Sequence, residues 1–136
     1  MRKSGGYNAD RLLTLPSLNT NIQQAVDWFV EPAGAEPWIL HCHDYDPWDF
    51  VSTSWGRTFW GSAADKTVVA APFVALKGRW GTRPTMLGEW GVTGTSVENG
   101  AAWKYFDFMA RTPVAAPDRS GARYAALRRM PAAVTV

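Results

Sequence analysis

The sequence predicts an α/β fold of consecutive strand–helix units around a parallel sheet. Short apolar segments alternate three times with longer segments of helical character, which is the order of elements in βαβ proteins. The apolar segments are nearly continuous, as strands covered on both faces are. Histidine, tyrosine and glutamate stand at the carboxyl ends of the second and third segments, where such folds place their chemistry.

The first unit is a strand followed by a helix. The strand is predicted at 11–18, RLLTLPSL, an apolar run with a polar start and a proline near its end. The helix is predicted at 19–31, where an asparagine or a threonine is available as the cap. Its apolar side chains recur at helical spacing and should form one face: Ile22, Val26, Phe29 and Val30.

The second unit has a strand at 37–45, PWILHCHDY, and a long loop at 46–61 that is rich in tryptophan, aspartate and glycine. A helix is predicted at 62–81. It opens on Ser62 with an aspartate three residues later, which resembles a capping box. Because proline has no backbone N–H, Pro72 should kink this helix or divide it in two.

The third unit has a strand at 83–91, RPTMLGEWG, and a helix at 96–112. The inner face of this helix is predicted from its spacing to be Ala101, Ala102, Tyr105, Phe108 and Met109. From residue 113 to residue 136 the chain is rich in alanine, arginine and proline, with no clear strand. We expect this tail to be irregular, or to be the product of a shifted reading frame near codon 112.

Composition limits the classes of function. The chain has 136 residues, of which 46% are hydrophobic and 19% charged, which is typical of one soluble globular unit. It is well short of the roughly 250 residues of a complete α/β barrel. A net charge of +2 predicts neither a nucleic-acid nor a membrane partner. One cysteine excludes an internal disulfide. Because no apolar run follows the first methionine, we expect no signal peptide in this sequence.

Glu89 is the first candidate for chemistry. It lies at a strand end, flanked by Gly88 and Gly91 and beside Trp90, which suits a nucleophile or a general acid in a shaped pocket. The alternative is a carboxylate that pairs with an arginine at the rim. On the preceding strand His41, His43 and Tyr45 share a face, because side chains alternate with period two. The two histidines could hold zinc, but we interpret His43 and Tyr45 as the frame of a carboxylate site and expect neither a metal nor a cofactor.

Tryptophan is unusually frequent, with eight residues in the chain. Several of them stand among aspartate, glycine and serine. Flat aromatic faces match the apolar faces of sugar rings, and the indole N–H can bond hydroxyl groups. The candidates for substrate binding are Trp48, Trp55, Trp60 and Trp90. The alternative for each of them is packing within a loop.

Four segments in this order and spacing resemble the second half of a family 5 glycoside hydrolase, the family of the cellulases: ILHCHDYDPWDF, WGSAADK, FVALKGRWGTRPTMLGEWG and ENGAAWKYFDFMART. The most specific parts are the H-x-Y-x-P motif, here residues 43–47, and the G-E-[FWY]-G motif, here residues 88–91. The resemblance implies a (β/α)8 barrel of which this chain carries roughly strands five to seven, in residues 1–112.

The resemblance also implies roles. Glu89 would be the nucleophile of a retaining β-glucan hydrolase, His43 would line the cleft, and Tyr45 would bond the Glu89 carboxylate. The enzyme would be secreted. The acid/base glutamate of the family lies in an Asn-Glu-Pro motif, which this sequence does not contain, so the chain alone should be inactive.

Other interpretations stay open at this point. The chain could be a non-catalytic remnant whose tryptophan-rich loops bind polysaccharide, or, more remotely, a metal-dependent hydrolase built on His41 and His43. A partial barrel would also have open strand edges. Its partner would then be the missing first half of the barrel or a second copy of the chain.

Overall fold

The computed structural model describes residues 2–34, 37–52, 56–81, 83–93 and 100–115. Within them the order of elements is two 3-10 turns, at Arg2–Ser4 and Gly6–Ala9, followed by alternating strands and helices. The strands are β1 (Leu13–Asn21), β2 (Trp38–His43) and β3 (Thr85–Glu89). The helices are α1 (Ile22–Asp27), α2 (Trp48–Val51), α3 (Ala63–Trp80) and α4 (Ala101–Ala115). None of the described helices is long and apolar enough to cross a membrane.

The sheet is parallel, with β2 between β1 and β3. Helix α1 packs against β1 and α3, and α3 packs against α4. Each strand therefore leads through a helix to a parallel neighbour, as the sequence predicts. All three strands end at the same edge of the sheet, so the residues that follow them meet there.

The prediction that the strands are buried on both faces is wrong for the described residues. The side chains of Trp38, Leu40 and Cys42 on β2 are buried, but those between them are only half buried. On β1 the leucines Leu13 and Leu15 pack partly against the core while their neighbours are exposed. The helices cover one face of this sheet, and the face that would point into a closed barrel is less covered.

Helix α1 is shorter than the predicted segment. Its N-cap is Asn21, whose side chain accepts a hydrogen bond from the backbone N–H of Gln24, which stabilises the first turn. The carbonyl oxygen of Gln24 accepts from two successive backbone N–H groups after the helix, which closes it at Asp27. Of the predicted face, Ile22 is buried, but Val30 lies beyond the helix end and is 78% exposed.

Helix α3 confirms the predicted capping box. Ser62 accepts from the backbone N–H of Asp65, and the Asp65 carboxylate accepts from the backbone N–H of Ser62. Pro72 does not divide the helix, which runs unbroken to Trp80. Pro72 is buried, and its packing offsets the hydrogen bond that proline cannot donate.

Helix α4 begins at Ala101 and extends to Ala115, so the predicted boundary at residue 112 falls within it. Its predicted inner face is found, with Ala101, Tyr105 and Met109 buried. The rest of the predicted tail, residues 116–136, lies outside the described residues.

Candidate active site

A β-bulge sets the direction of Glu89. Leu87 pairs with Cys42 and Glu89 pairs with His43, so β3 has one residue, Gly88, more than β2 at this point. Without the bulge, the alternation of the strand would point Glu89 towards the helices, on the side of Leu87. The extra residue turns Glu89 to the face that carries His43, which is how bulges redirect side chains next to active sites.

Two side chains contact the same oxygen of Glu89. The hydroxyl group of Tyr45 donates a hydrogen bond to Glu89 Oε2 over 3.1 Å, and Nδ1 of His43 lies 3.3 Å from that oxygen. Burial, followed by the hydrogen bond to Glu89, raises the pKa of Tyr45. Tyr45 therefore keeps its proton at neutral pH and acts as a donor to the Glu89 carboxylate.

A third strand reaches the site through Thr20, near the end of β1. The register of β1 against β2 shifts between Pro16 and Asn21, so that four residues of β1 stand opposite one residue of β2. Within this irregular stretch, Thr20 has a positive φ of 55°. This irregular end brings Thr20 Oγ1 to 2.9 Å from His43 Nδ1. The sequence does not predict Thr20 as a site residue, because nothing in its pattern marks the irregular strand end.

His41 lies behind His43 on the same face of β2. The two Nε2 atoms are 3.1 Å apart, and the ring planes are inclined at 68°. The ring of His41 lies against Gly88, and a Cβ at that position would collide with His41 Nε2. Burial, and next the charge of His43, lower the pKa of His41, while Glu89 opposes them. The H-x-H spacing predicts that the two histidines share a face of β2, and the structure shows that their rings are also in contact.

A cavity of about 450 Å³ adjoins this site. It is lined by Tyr45, Trp48, Val51, Ser52, Trp90, Gly91, Val92 and Thr93. Trp48 is 57% exposed and stands at the start of α2. Trp90 is half buried, with its ring centroid 5.5 Å from that of Phe106 on α4. The cavity thus has two indole rings in its wall, one largely open to solvent and one supported by a helix.

Trp60, a third tryptophan candidate, does not line this cavity. Trp60 is only 3% exposed and packs with its ring against Phe50, Tyr105 and Phe108. The prediction that Trp60 faces a ligand is therefore wrong, because its side chain packs in the core between α2 and α4. Trp55 lies outside the described residues.

Two further ionisable groups near the strand ends are buried. Asp44 is 2% exposed, and burial above all raises its pKa to about 6. One of its oxygens accepts from the backbone N–H of Asp46. Burial, and next the charge of Asp44, raise the pKa of Cys42 to about 12. Cys42 is therefore a protonated core thiol and not a nucleophile.

Among the described residues, no group of three or more histidine, cysteine, aspartate or glutamate side chains is placed to hold an ion. His41 and His43 instead contact each other. The chemistry that this site offers is that of an oriented, solvent-accessible carboxylate.

Comparison with known proteins adds context to this geometry. No family model matches the chain. Among curated proteins, the cellulase/esterase CelE of Acetivibrio thermocellus is 30% identical over 67% of this chain and 12% of its own length. The xyloglucan-specific endo-β-1,4-glucanase of Bacteroides ovatus is 27% identical over 84% of this chain and 27% of its own length.

A solved structure matches in both sequence and fold. It is a tri-modular GH5 (subfamily 4) endo-β-1,4-glucanase from Bacillus licheniformis in complex with cellotetraose, with a TM-score of 0.74 at 33% identity, over 82% of this chain and 22% of that chain. This chain resembles the glycoside hydrolases of family 5. The family 5 xyloglucanase of Bacteroides ovatus, in complex with a XXXG heptasaccharide, matches with a TM-score of 0.69 at 25% identity, over 83% of this chain and 29% of that chain.

These comparisons confirm the family resemblance and the fold class predicted from the sequence. The three strands and their helices form part of a (β/α)8 barrel. The chain spans only 12% and 27% of the two curated relatives named above. The roles of individual residues stay predictions.

Proposed function

We propose that this chain is part of a retaining glycoside hydrolase that cleaves β-glucan, and that Glu89 is its nucleophile. The observation that carries the proposal is the hydrogen bond from Tyr45 to Glu89 Oε2 over 3.1 Å. It orients a carboxylate at the carboxyl end of a barrel strand. This is the position at which enzymes of this fold place their catalytic groups.

The proposed chemistry has two steps. Glu89 attacks the anomeric carbon, the glycosidic bond breaks, and a second carboxyl group protonates the leaving oxygen. That group then removes a proton from water, which attacks the glycosyl–enzyme ester and releases Glu89. Because Tyr45 and His43 both contact Oε2, we assign the attack to Oε1. Tyr45 and His43 keep the carboxylate in one orientation, which lowers the entropic cost of reaching the transition state.

The proposed substrate is a β-linked glucan. The relatives act on cellulose-type chains or xyloglucan by name, and two of the solved structures hold cello- or xyloglucan oligosaccharides. The cavity beside Glu89 supports this substrate class. Its rings at Trp48 and Trp90 would stack on the apolar faces of sugar residues, and Ser52 would bond their hydroxyl groups. By the same resemblance we propose that the enzyme is secreted.

The second carboxyl group is proposed to lie outside these 136 residues. The sequence contains no Asn-Glu-Pro motif, and Asp44, a buried acid among the described residues at the strand ends, lies on the helix side of β2 with Cys42. We therefore propose that residues 1–112 form the nucleophile-bearing part of the barrel. The polypeptide alone then lacks the proton donor, which typically contributes about 10²–10⁴-fold to the rate.

The test compares the chain alone with the chain paired to a complementary first half of a family 5 barrel. We expect no measurable hydrolysis of carboxymethyl-cellulose by the chain alone, and activity in the paired protein that is lost on Glu89→Gln. Tyr45→Phe should lower kcat less than Glu89→Gln does, because it removes an orienting hydrogen bond and leaves the nucleophile in place.

Two outcomes would contradict the proposal. Hydrolysis by the chain alone that disappears with Glu89→Gln would mean that the proton donor lies within it. A paired protein that is equally active with Glu89→Gln would mean that Glu89 is not the nucleophile. If the paired protein binds cello-oligosaccharides but never cleaves them, the alternative of a non-catalytic polysaccharide-binding protein is favoured, with Trp48 on the cavity wall as its main contact.

A further inference from the structure

The contact between His41 and His43 requires a defined distribution of protons. Their Nε2 atoms are 3.1 Å apart. A neutral imidazole has one N–H and one lone pair. When both rings are neutral, one Nε2 donates and the other accepts. Which of them donates is decided by the surroundings of the other nitrogen of His43.

Nδ1 of His43 faces two acceptors. One is Glu89 Oε2, 3.3 Å away, and an ionised carboxylate accepts hydrogen bonds only. The other is Thr20 Oγ1 at 2.9 Å. The single proton of that hydroxyl is donated to the carbonyl oxygen of Asn19 over 2.5 Å, so Thr20 offers a lone pair to His43. The proton of neutral His43 therefore lies on Nδ1, and its Nε2 is the acceptor.

We propose that His41 is a positioning residue whose Nε2–H holds His43 in the tautomer that presents Nδ1–H to Glu89. His41 approaches His43 from the side opposite to Glu89, in contact with the bulge residue Gly88. The absence of a side chain at Gly88 is what leaves room for the ring. Burial lowers the pKa of His41, which keeps it neutral and limits it to one N–H.

The consequence for catalysis rests on the proposed role of Glu89, whereas the tautomer of His43 does not. Without a donor at position 41, His43 can place its proton on Nε2. It would then turn a lone pair towards the carboxylate, and Tyr45 would be left as the donor to Oε2. Because Glu89 is a largely exposed side chain, this loss would act on its orientation.

The tautomer can be measured directly, because the chain contains two histidines. We suggest labelling the imidazole nitrogens of the 136-residue chain with ¹⁵N and recording long-range ¹H–¹⁵N spectra at about pH 8, where imidazoles are neutral. His43→Gln assigns the signals. The expected result is a proton on Nδ1 of His43 and a proton on Nε2 of His41. A proton on Nε2 of His43 would overturn the proposal.

Two substitutions separate donation from packing. His41→Gln keeps an N–H donor at a similar reach but removes the ring, whereas His41→Phe keeps a ring beside Gly88 but removes the donor. We expect His43 to keep its Nδ1–H tautomer in the glutamine variant and to become a mixture of tautomers in the phenylalanine variant. The opposite pattern would mean that His41 acts through its volume. If either variant fails to fold, the spectrum of the wild-type chain still decides.

The paired protein provides the kinetic test. Loss of one orienting contact to Glu89 should lower kcat by about tenfold in His41→Phe, with KM little changed, and His41→Gln should restore most of it. An unchanged kcat in His41→Phe, in an enzyme that still depends on Glu89, would overturn the positioning role while the proposed function stands. Activity that does not depend on Glu89 would instead contradict the proposed function.

Discussion

Glu89 is held by neighbours and not by burial. Its side chain is 58% exposed, so it has no hydrophobic pocket to fix its rotamer. The contacts from Tyr45 and His43 both fall on Oε2, and each neighbour is itself held near a strand end. Two contacts on one oxygen keep an exposed carboxylate pointing one way, and a defined orientation is what a nucleophile needs before substrate arrives.

Asp44, next to His43 in the chain, is the opposite case and gives a pH-dependent prediction. Its pKa is raised from 3.8 to about 6, mainly by burial. The folded state therefore binds a proton that the unfolded state has lost, and stability should fall as the pH rises from about 4 to about 6. At pH 7, Asp44→Asn should be more stable by up to roughly 3 kcal/mol. Urea unfolding of both proteins at pH 4 and pH 7 measures this.

The matched control is Asp10→Asn, at an exposed position after the second 3-10 turn. A substitution at such a position should change the free energy of unfolding by less than about 0.5 kcal/mol at either pH. If Asp44→Asn is less stable than the wild-type chain at pH 7, the ionised side chain has a stabilising partner, and burial does not dominate its pKa.

At the scale of elements, the bulge in β3 places Glu89 on the same face of the sheet as His43. Gly88 both supplies the extra residue and leaves the space that His41 occupies. A methyl group at this position would collide with the imidazole ring. We expect Gly88→Ala to lower the free energy of unfolding by about 1–3 kcal/mol, as overpacking does. It should also separate the two histidines, which the imidazole ¹⁵N spectrum would detect.

Gly78 is the matched control for this substitution. It lies within α3 on an exposed position, and a Cβ there would meet no atom within 4 Å. Gly78→Ala should therefore stabilise the chain by about 0.5–1 kcal/mol, because alanine loses less conformational freedom in a helix. If Gly88→Ala were as harmless as Gly78→Ala, the close approach of His41 would not be a constraint on the site.

The elements differ in how far the sequence determines them. Helix α3 is predictable because its signal is local: a serine and an aspartate three residues apart cap it. The direction of the Glu89 side chain is not predictable, because regular alternation would place it with Leu87 on the helix side. The bulge that redirects it depends on the pairing of β3 with β2. The burial of Trp60 is not predictable from the sequence for a similar reason. Its polar neighbours suggest a surface, but burial is decided by contacts with α4, far along the chain.

At the scale of the whole molecule, the site is an assembly of three strand ends. Thr20 comes from β1, His43 from β2 and Glu89 from β3, and no two of them are neighbours in sequence. Only the parallel sheet brings them together. The same sheet has a cost, because within the described residues β1 and β3 each pair along one side. Unpaired strand edges are templates for further pairing.

This topology predicts that the isolated chain self-associates. We expect its sedimentation coefficient to rise with concentration, because an edge such as that of β1 pairs with another copy. A charged side chain on an edge strand opposes such pairing, so Thr14→Lys, at an exposed position of β1, should reduce the association. Thr67→Lys, at an exposed position of α3, adds the same charge away from the edges and should leave it unchanged. Equal effects of the two substitutions would indicate that net charge governs the association. If the chain is a monomer at all concentrations, its strand edges are covered by the chain itself.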